Sequence, residues 1–105
     1  MAKYMQLVMV NARDGRDDEF NDWLDNHHIP EIVEAGGFVK CHRYELAPEE
    51  AANPRAPKRY MHLYELETDD LAATRAKIDA KRSGMTPLPD ALDTSDMFAV
   101  YYRQR

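Results

Sequence analysis

Residues 58–67, KRYMHLYELE, alternate between two side-chain sets in the manner of a β-strand. One face of this strand would carry Tyr60, His62, Tyr64 and Leu66. The opposite face would carry Met61, Leu63 and Glu65. An antiparallel sheet with one face in water shows a cleaner separation of apolar and polar side chains. The stretch therefore predicts a sheet that is covered on both faces.

The segments on either side alternate between strand and helix signals. Aliphatic and β-branched residues predict strands at 3–11, 38–46 and 97–103. Phe20, Trp23, Leu24 and His27 recur at i, i+3, i+4 and i+7, so residues 17 to about 35 form a helix that Gly36 and Gly37 end. A second helix is capped by residues 68–70 and runs to about residue 82. Residues 47–57 and 85–95 are irregular, and the latter segment is either a lid or a connector.

The order βαββαβ predicts a single α+β domain over residues 1–105. It corresponds to a ferredoxin-like fold, in which two helices cover one face of a four-stranded antiparallel sheet. Because the other face is also apolar, we expect a second copy of the chain to cover it, forming a symmetric homodimer.

Charge and hydropathy exclude several classes of partner. The chain has 105 residues, a mass of 12.2 kDa, a formal net charge of −5 and a pI near 5.3. Nucleic acids and anionic membranes select for basic patches, so neither is expected as a partner. The sequence shows neither the apolar run of a signal peptide nor eighteen consecutive apolar residues. We expect a cytoplasmic protein.

The stretch 23–30, WLDNHHIP, concentrates polar groups at one point of the first helix. Pro30 has no N–H to donate, so the helix should bend or end there, and Ile29 should leave helical geometry. His27 continues the apolar stripe and is expected in the core or an interface. His28 lies at the break, where it either transfers protons or hydrogen-bonds the freed backbone.

These residues resemble a known group of proteins. The match rests on Trp23, 28–30 (HIP), Gly37-Phe38, Arg43-Tyr44, Arg59-Tyr60 and 63–66 (LYEL). On these residues the sequence is similar to the dimeric α+β barrel superfamily and, within it, to the EthD-like group. The resemblance implies that two sheets pack into a dimeric α+β barrel. Residues 60–66 are also similar to the histidine-bearing strand of olivetolic acid cyclase-type polyketide cyclases, which implies that His62 is a general base.

The candidate catalytic residues are His28, His62, Tyr60 and Tyr64. Two imidazoles and two phenols around an apolar cavity can remove a proton α to a carbonyl and stabilise the enolate oxygen. The alternative for the strand residues is a polar ladder at the dimer interface. The residues expected to contact substrate are Trp23, His27, Asn26, Phe38 and Met61. The histidine spacing does not fit a metal site, and we expect neither a metal nor an organic cofactor.

Three functions remain open from the sequence. The first is a cofactor-free cyclase, isomerase or lyase acting by acid/base chemistry on an aromatic, polyketide-like or cyclic hydrophobic substrate. The second is a cofactor-free monooxygenase that uses the same pocket. The third is a dimeric ligand-binding or accessory protein without catalytic activity.

Overall fold

The computed structural model describes residues 1–38 and 40–105. Its four strands are β1 (Ala2–Ala12), β2 (Lys40–Glu45), β3 (Tyr60–Thr68) and β4 (Leu92–Arg103). They form one sheet in the order β2-β3-β1-β4, and each neighbouring pair is antiparallel. This is the strand order of a ferredoxin-like fold, so the predicted α+β class and four-stranded antiparallel sheet are confirmed.

The first helical region consists of three consecutive pieces. These are α1 (Asp17–Trp23), a π-helical turn (Leu24–His28) and α2 (Ile29–Gly36). Ile29 keeps helical angles, with φ −61° and ψ −49°, so the prediction that it leaves helical geometry was wrong. Pro30 provides no N–H, and the chain widens instead of breaking: the N–H of Ile29 donates to the carbonyl oxygen of Leu24, five residues earlier.

The ends of the helices follow the sequence closely. Gly37 adopts a left-handed conformation with φ 66°, which stops α2 at the predicted glycine pair. The second predicted helix is α3 (Leu71–Lys81), followed by a short 3₁₀ turn (Arg82–Gly84). The Asp70 side chain accepts a hydrogen bond from the N–H of Ala73 at 3.0 Å, as expected of a capping residue.

All four strands differ from their predicted bounds, by one or two residues at each end for β1, β2 and β3. β2 begins at Lys40 rather than at residue 38, and Val39 lies outside the described residues. β4 begins at Leu92, so part of the predicted irregular segment is strand. Leu92 pairs with Ala12 beyond a register shift that places extra residues in β4, and this irregularity hides the start of the strand from a simple alternation pattern.

The helices cover one face of the sheet. Val8, Val10, His62 and Tyr64 point toward them and are buried, together with Phe20, Leu24, Ile32 and Ile78 from the helices. The other sheet face, called here the open face, carries Met5, Leu7, Met9, His42, Tyr44, Met61, Leu63, Glu65, Phe98, Val100 and Tyr102. Within the described residues, no helix is long and apolar enough to cross a lipid bilayer.

Candidate functional site

A cavity of about 190 Å³ lies between the helices and the sheet. Its wall combines strand residues from β1, β3 and β4 with residues from the helices. The polar and aromatic side chains on it are Gln6, Phe20, Trp23, His28, His62, Tyr64, Arg82 and Tyr101. The aliphatic ones are Val8, Val10, Leu24, Ile32, Ile78, Leu88, Leu92, Met97 and Ala99.

His62 and Tyr64 reach this cavity because they alternate with Met61 and Leu63 along β3. His62 is 3% exposed and Tyr64 is 2% exposed. Their rings meet edge to face with centroids 5.4 Å apart. The helix-facing side of the strand is therefore the side that carries these two candidate catalytic residues.

The π-helical turn decides which of the two neighbouring histidines joins them. In this turn a hydrogen bond spans five residues, so the residue five positions after Trp23 lies on the same side of the helix as Trp23. That residue is His28, whose ring stacks on the indole of Trp23 at 4.5 Å. His27 is exposed in the single chain, so it does not lie in the core, and its alternative place in an interface stays a prediction.

Burial keeps the two cavity histidines neutral. It lowers the pKa of His62 to about 3, with further lowering from the positive charge of Arg43 and from His28. Burial also lowers the pKa of His28 to about 4; Arg82 adds to this effect, and Glu31 opposes it. Both rings can therefore accept a proton at neutral pH, but each is a weak base until something in the cavity stabilises its charged form.

Burial shifts the pKa of Tyr64 in the opposite direction from that of the two histidines. Burial raises the pKa of its phenol far above the ordinary value, so the hydroxyl stays protonated at neutral pH and is available as a hydrogen-bond donor.

Three side chains on the cavity wall carry polar atoms without a partner. Within the described part of the chain, Trp23 Nε1, His62 Nδ1 and Tyr64 OH are buried and make no hydrogen bond. Such atoms are rare in folded proteins because each costs free energy if it stays unpaired. The same three residues line the space in which a ligand would lie.

The loop before β4 covers part of this space. Leu88 contributes to the cavity wall, and Thr86, two residues earlier, is fixed to α2. The backbone N–H of Thr86 donates to Glu31 Oε2 at 2.9 Å, and its hydroxyl donates to the same carboxylate. These bonds lower the pKa of Glu31.

Tyr60 does not join the other candidate catalytic residues. Its hydroxyl donates to Asp17 Oδ2 at 2.6 Å and accepts from Asn21 Nδ2 at 3.5 Å. Burial, and then the bond to Asp17, raise the pKa of Tyr60. The residue lines a separate surface recess with Asn21 and Arg43. In this position it ties β3 to the start of α1.

Of the residues predicted to contact substrate, one lines the cavity and the others lie away from it. Trp23 lies on the cavity wall, as expected. Asn26 is exposed and donates to Asp22 Oδ1 at 2.7 Å. Phe38 is buried in the core, 5.1 Å from the ring of Tyr64, and Met61 lies on the open face. Neither Asn26, Phe38, Met61 nor the exposed His27 is part of the cavity wall.

Sequence reasoning missed Arg82 and Tyr101, which complete the wall. Tyr101 pairs with Gln6 in the sheet register, so the antiparallel alignment of β1 with β4 was the signal that places it on the helix side. Arg82 follows the last residue of α3, and nothing in its sequence context distinguishes it from other surface cations. The described residues contain no group of three His, Cys, Asp or Glu side chains arranged to hold a metal ion.

The fold and the cavity together define a small ferredoxin-like α+β protein with a ligand-sized space beneath its helices. The chain belongs to the family described as a domain of unknown function, DUF4286, whose model matches residues 3–81. The match extends from β1 through α3. Comparisons with curated proteins and with solved structures find no match.

Proposed function

We propose that this protein is a small-molecule enzyme that works by acid/base chemistry without a cofactor. The reaction class is that of a cyclase, isomerase or lyase, and the substrate is an aromatic, polyketide-like or cyclic hydrophobic compound. The observation that carries the proposal is that two neutral imidazoles and the phenol of Tyr64, together with the phenol of Tyr101, line a single largely apolar cavity. The resemblance of the sequence to EthD-like proteins and polyketide cyclases favours the same chemistry.

His62 is the proton acceptor in this mechanism. Its unpaired Nδ1 takes a proton from a carbon α to a carbonyl group, and the substrate becomes an enolate. A lone imidazolium is costly in this cavity, which is why the pKa of His62 is low. The enolate forms together with the imidazolium, so each charge offsets part of the desolvation cost of the other.

Tyr64 and Trp23 stabilise the enolate oxygen. Both side chains line the cavity and carry an N–H or O–H without a partner, and donors fixed in advance are most effective where charge develops during the reaction. His28, stacked on Trp23, receives the α-proton from the imidazolium of His62 and delivers it to a second carbon or to a leaving oxygen, so that both rings are neutral again.

The experiment measures exchange of the α-proton, because this assay does not require the product of the reaction to be known. Cyclic diketones and acylphenols are incubated in D₂O, and loss of the α-proton signal is followed by NMR. We expect His62→Asn to slow the exchange by about 10²- to 10⁴-fold and Tyr64→Phe to slow it by about 10²-fold. His27→Asn, on the exposed neighbour of His28, is the matched control and should keep the wild-type rate.

Tyr64→Phe keeps the shape of the side chain, so it tests the chemistry even if His62→Asn fails to fold. Circular dichroism reports the folding of each variant. Exchange that is the same in the wild type and in a folded Tyr64→Phe variant would contradict the mechanism. Oxygen consumption with phenolic substrates would instead support the monooxygenase of the same fold.

A second candidate function is non-catalytic ligand binding, and the low pKa values of His28 and His62 favour it. A base with a pKa of about 3 or 4 is poorly matched to proton transfer near pH 7. A binding protein would keep its ligand affinity in Tyr64→Phe within a fewfold and would show no exchange with any substrate.

We further propose that the active form is a homodimer built on the open face. Met5, Leu7 and Leu63 lie at its centre, and Phe98, Val100 and Tyr102 extend it along β4. Val100 is 38% exposed and Tyr102 is 64% exposed in the single chain. Contiguous apolar surface of this kind marks an interaction site more often than a free surface.

A further inference from the structure

The cavity that forms the proposed active site also contains information about its ligand. Three properties restrict what fits: the hydrogen-bonding character of the unpaired atoms, the charge on the wall, and the volume. Each is independent of whether the reaction is an isomerisation, a cyclisation or an oxygenation.

The unpaired atoms are mainly donors. The indole N–H of Trp23 can only donate, and the phenol of Tyr64 stays protonated, so both call for an acceptor in the cavity. His62 Nδ1 takes either role according to its tautomer. A ligand that satisfies this set presents carbonyl, phenolate or carboxylate oxygens to β3 and the π-helical turn.

The fixed charge on the wall has one sign. Among the described residues that line the cavity, Arg82 is the only one with a permanent charge, and no carboxylate is present. Arg82 Nε donates to Asp79 Oδ1 at 3.0 Å, in an exposed pair at the end of α3. A guanidinium has five N–H donors, so this contact leaves donors for a ligand at the mouth of the cavity.

A second cation lies just beyond the mouth. The cavity shares Gln6, Ile78, Arg82, Ala99 and Tyr101 with an adjoining polar cleft of about 560 Å³. Arg75 lines this cleft, with its guanidinium carbon 5.7 Å from the centroid of the Tyr101 ring. An acidic arm that leaves the cavity therefore passes Arg82 and then meets Arg75, although Asp79 also borders the cleft.

The volume limits the buried part of the ligand to about one ring. An engineered apolar cavity of roughly 150 Å³ accommodates benzene, and the present cavity of about 190 Å³ is slightly larger. Trp23 and Tyr64 provide flat surfaces against which a planar ring can pack.

We infer that the ligand is a single-ring aromatic or enolisable acid, with its ring oxygens toward Trp23 and Tyr64 and its carboxylate toward Arg82. This inference rests on the proposed function for the location of the site, and it adds the class of substrate. Neutral polycyclic compounds fit neither the volume nor the charge of the wall.

Trp23 provides the measurement, because it is the single tryptophan of the chain and lies on the cavity wall. Its fluorescence is titrated with benzoate and with benzamide, which has the same shape but no charge. We expect benzoate to bind about tenfold more tightly, since charge-assisted hydrogen bonds are the stronger ones. 2-Naphthoate, which has a second ring, should bind more weakly than benzoate.

The variant Arg82→Gln should remove the preference for benzoate while leaving the affinity for benzamide unchanged. Lys81→Gln is the matched control: Lys81 is the preceding, exposed cation at the end of α3 and lies away from the cavity wall. Equal affinities for benzoate and benzamide in the wild type, a preference that survives Arg82→Gln, or no binding of either compound would each overturn the inference.

The result is independent of the exchange assay for the proposed function. Proton exchange that depends on Tyr64, without any preference for the acid, would leave the catalytic proposal standing and remove the ligand class. A preference for the acid without exchange would keep the ligand class and assign the protein to non-catalytic binding.

Discussion

At the residue scale, burial of His62 links the site to the stability of the protein. The imidazole is enclosed between β3 and the helices, with Nδ1 unpaired. Its pKa is about 3 in the folded chain, whereas an exposed histidine titrates near 6.5. As the pH falls below 6.5, the unfolded chain takes up a proton that the folded chain does not. The free energy of unfolding therefore decreases as the pH decreases through this window.

We expect His62→Asn to flatten the dependence of stability on pH between pH 6.5 and 5. Each buried histidine contributes a slope that rises to about 1.4 kcal/mol per pH unit toward the acid end of that range, which corresponds to several degrees in the melting temperature. Thermal melts at intervals of half a pH unit measure this slope. The exposed His27→Asn control should keep the wild-type slope, and an equal flattening in both variants would show that burial of His62 is not the cause.

The sequence predicted His62 and Tyr64 on one face of β3, because strand alternation has a fixed period of two, and left open whether that face meets the helices or a second copy of the chain. It did not predict that Tyr60, on the same face, makes its hydrogen bond to Asp17 instead of facing the cavity. It also placed His27 inside and left His28 at the break. That assignment assumed α-helical spacing across residues whose actual hydrogen bonds span five positions.

At the element scale, the close approach of the end of α2 to Phe38 and to α3 depends on Gly36. A Cβ atom added there would meet the Phe38 ring and would lie 2.8 Å from Ile78 Cδ1. Phe38 cannot swing aside freely, because it is buried and packs against Tyr64. The end of α2 is therefore held against the core that supports the cavity.

We expect Gly36→Ala to destabilise the protein by about 1–3 kcal/mol, the usual cost of overfilling a packed core. Urea unfolding followed by circular dichroism measures the change. Gly84→Ala is the control, since an added Cβ at Gly84 meets no atom within 4 Å. A Gly36→Ala variant as stable as the wild type would mean that α2 and Phe38 move apart at little cost.

The elements themselves were largely predictable, whereas their local irregularities were not. Glycines and the acidic cap at Asp70 fixed the helix ends, because these residues have strong local preferences. The π-helical turn and the register shift between β1 and β4 near Asn11 both add residues to a regular pattern. Tertiary packing determines where such residues are accommodated, and the spacing of apolar residues along the sequence does not show it.

At the scale of the whole molecule, the helices cover one side of the sheet and leave the open face uncovered. Leu63, Leu7 and Val100 form a row across three strands at its centre. Burial of apolar surface favours association by roughly 25 cal/mol per Å² before the costs of binding are subtracted. A two-fold symmetric contact would place this row against its own copy.

We expect the wild type to be a dimer at micromolar concentration and Leu63→Lys to be a folded monomer. The substitution places a positive charge near the centre of the contact, and two-fold symmetry brings two such charges together in one largely apolar interface, where they repel each other. Light scattering after size-exclusion chromatography measures the mass, and circular dichroism confirms the fold. Ala73→Lys, on the exposed side of α3 in the helical layer, adds the same charge away from the open face and should leave the dimer intact. A monomeric wild type, or a Leu63→Lys variant that still dimerises, would contradict assembly through this face.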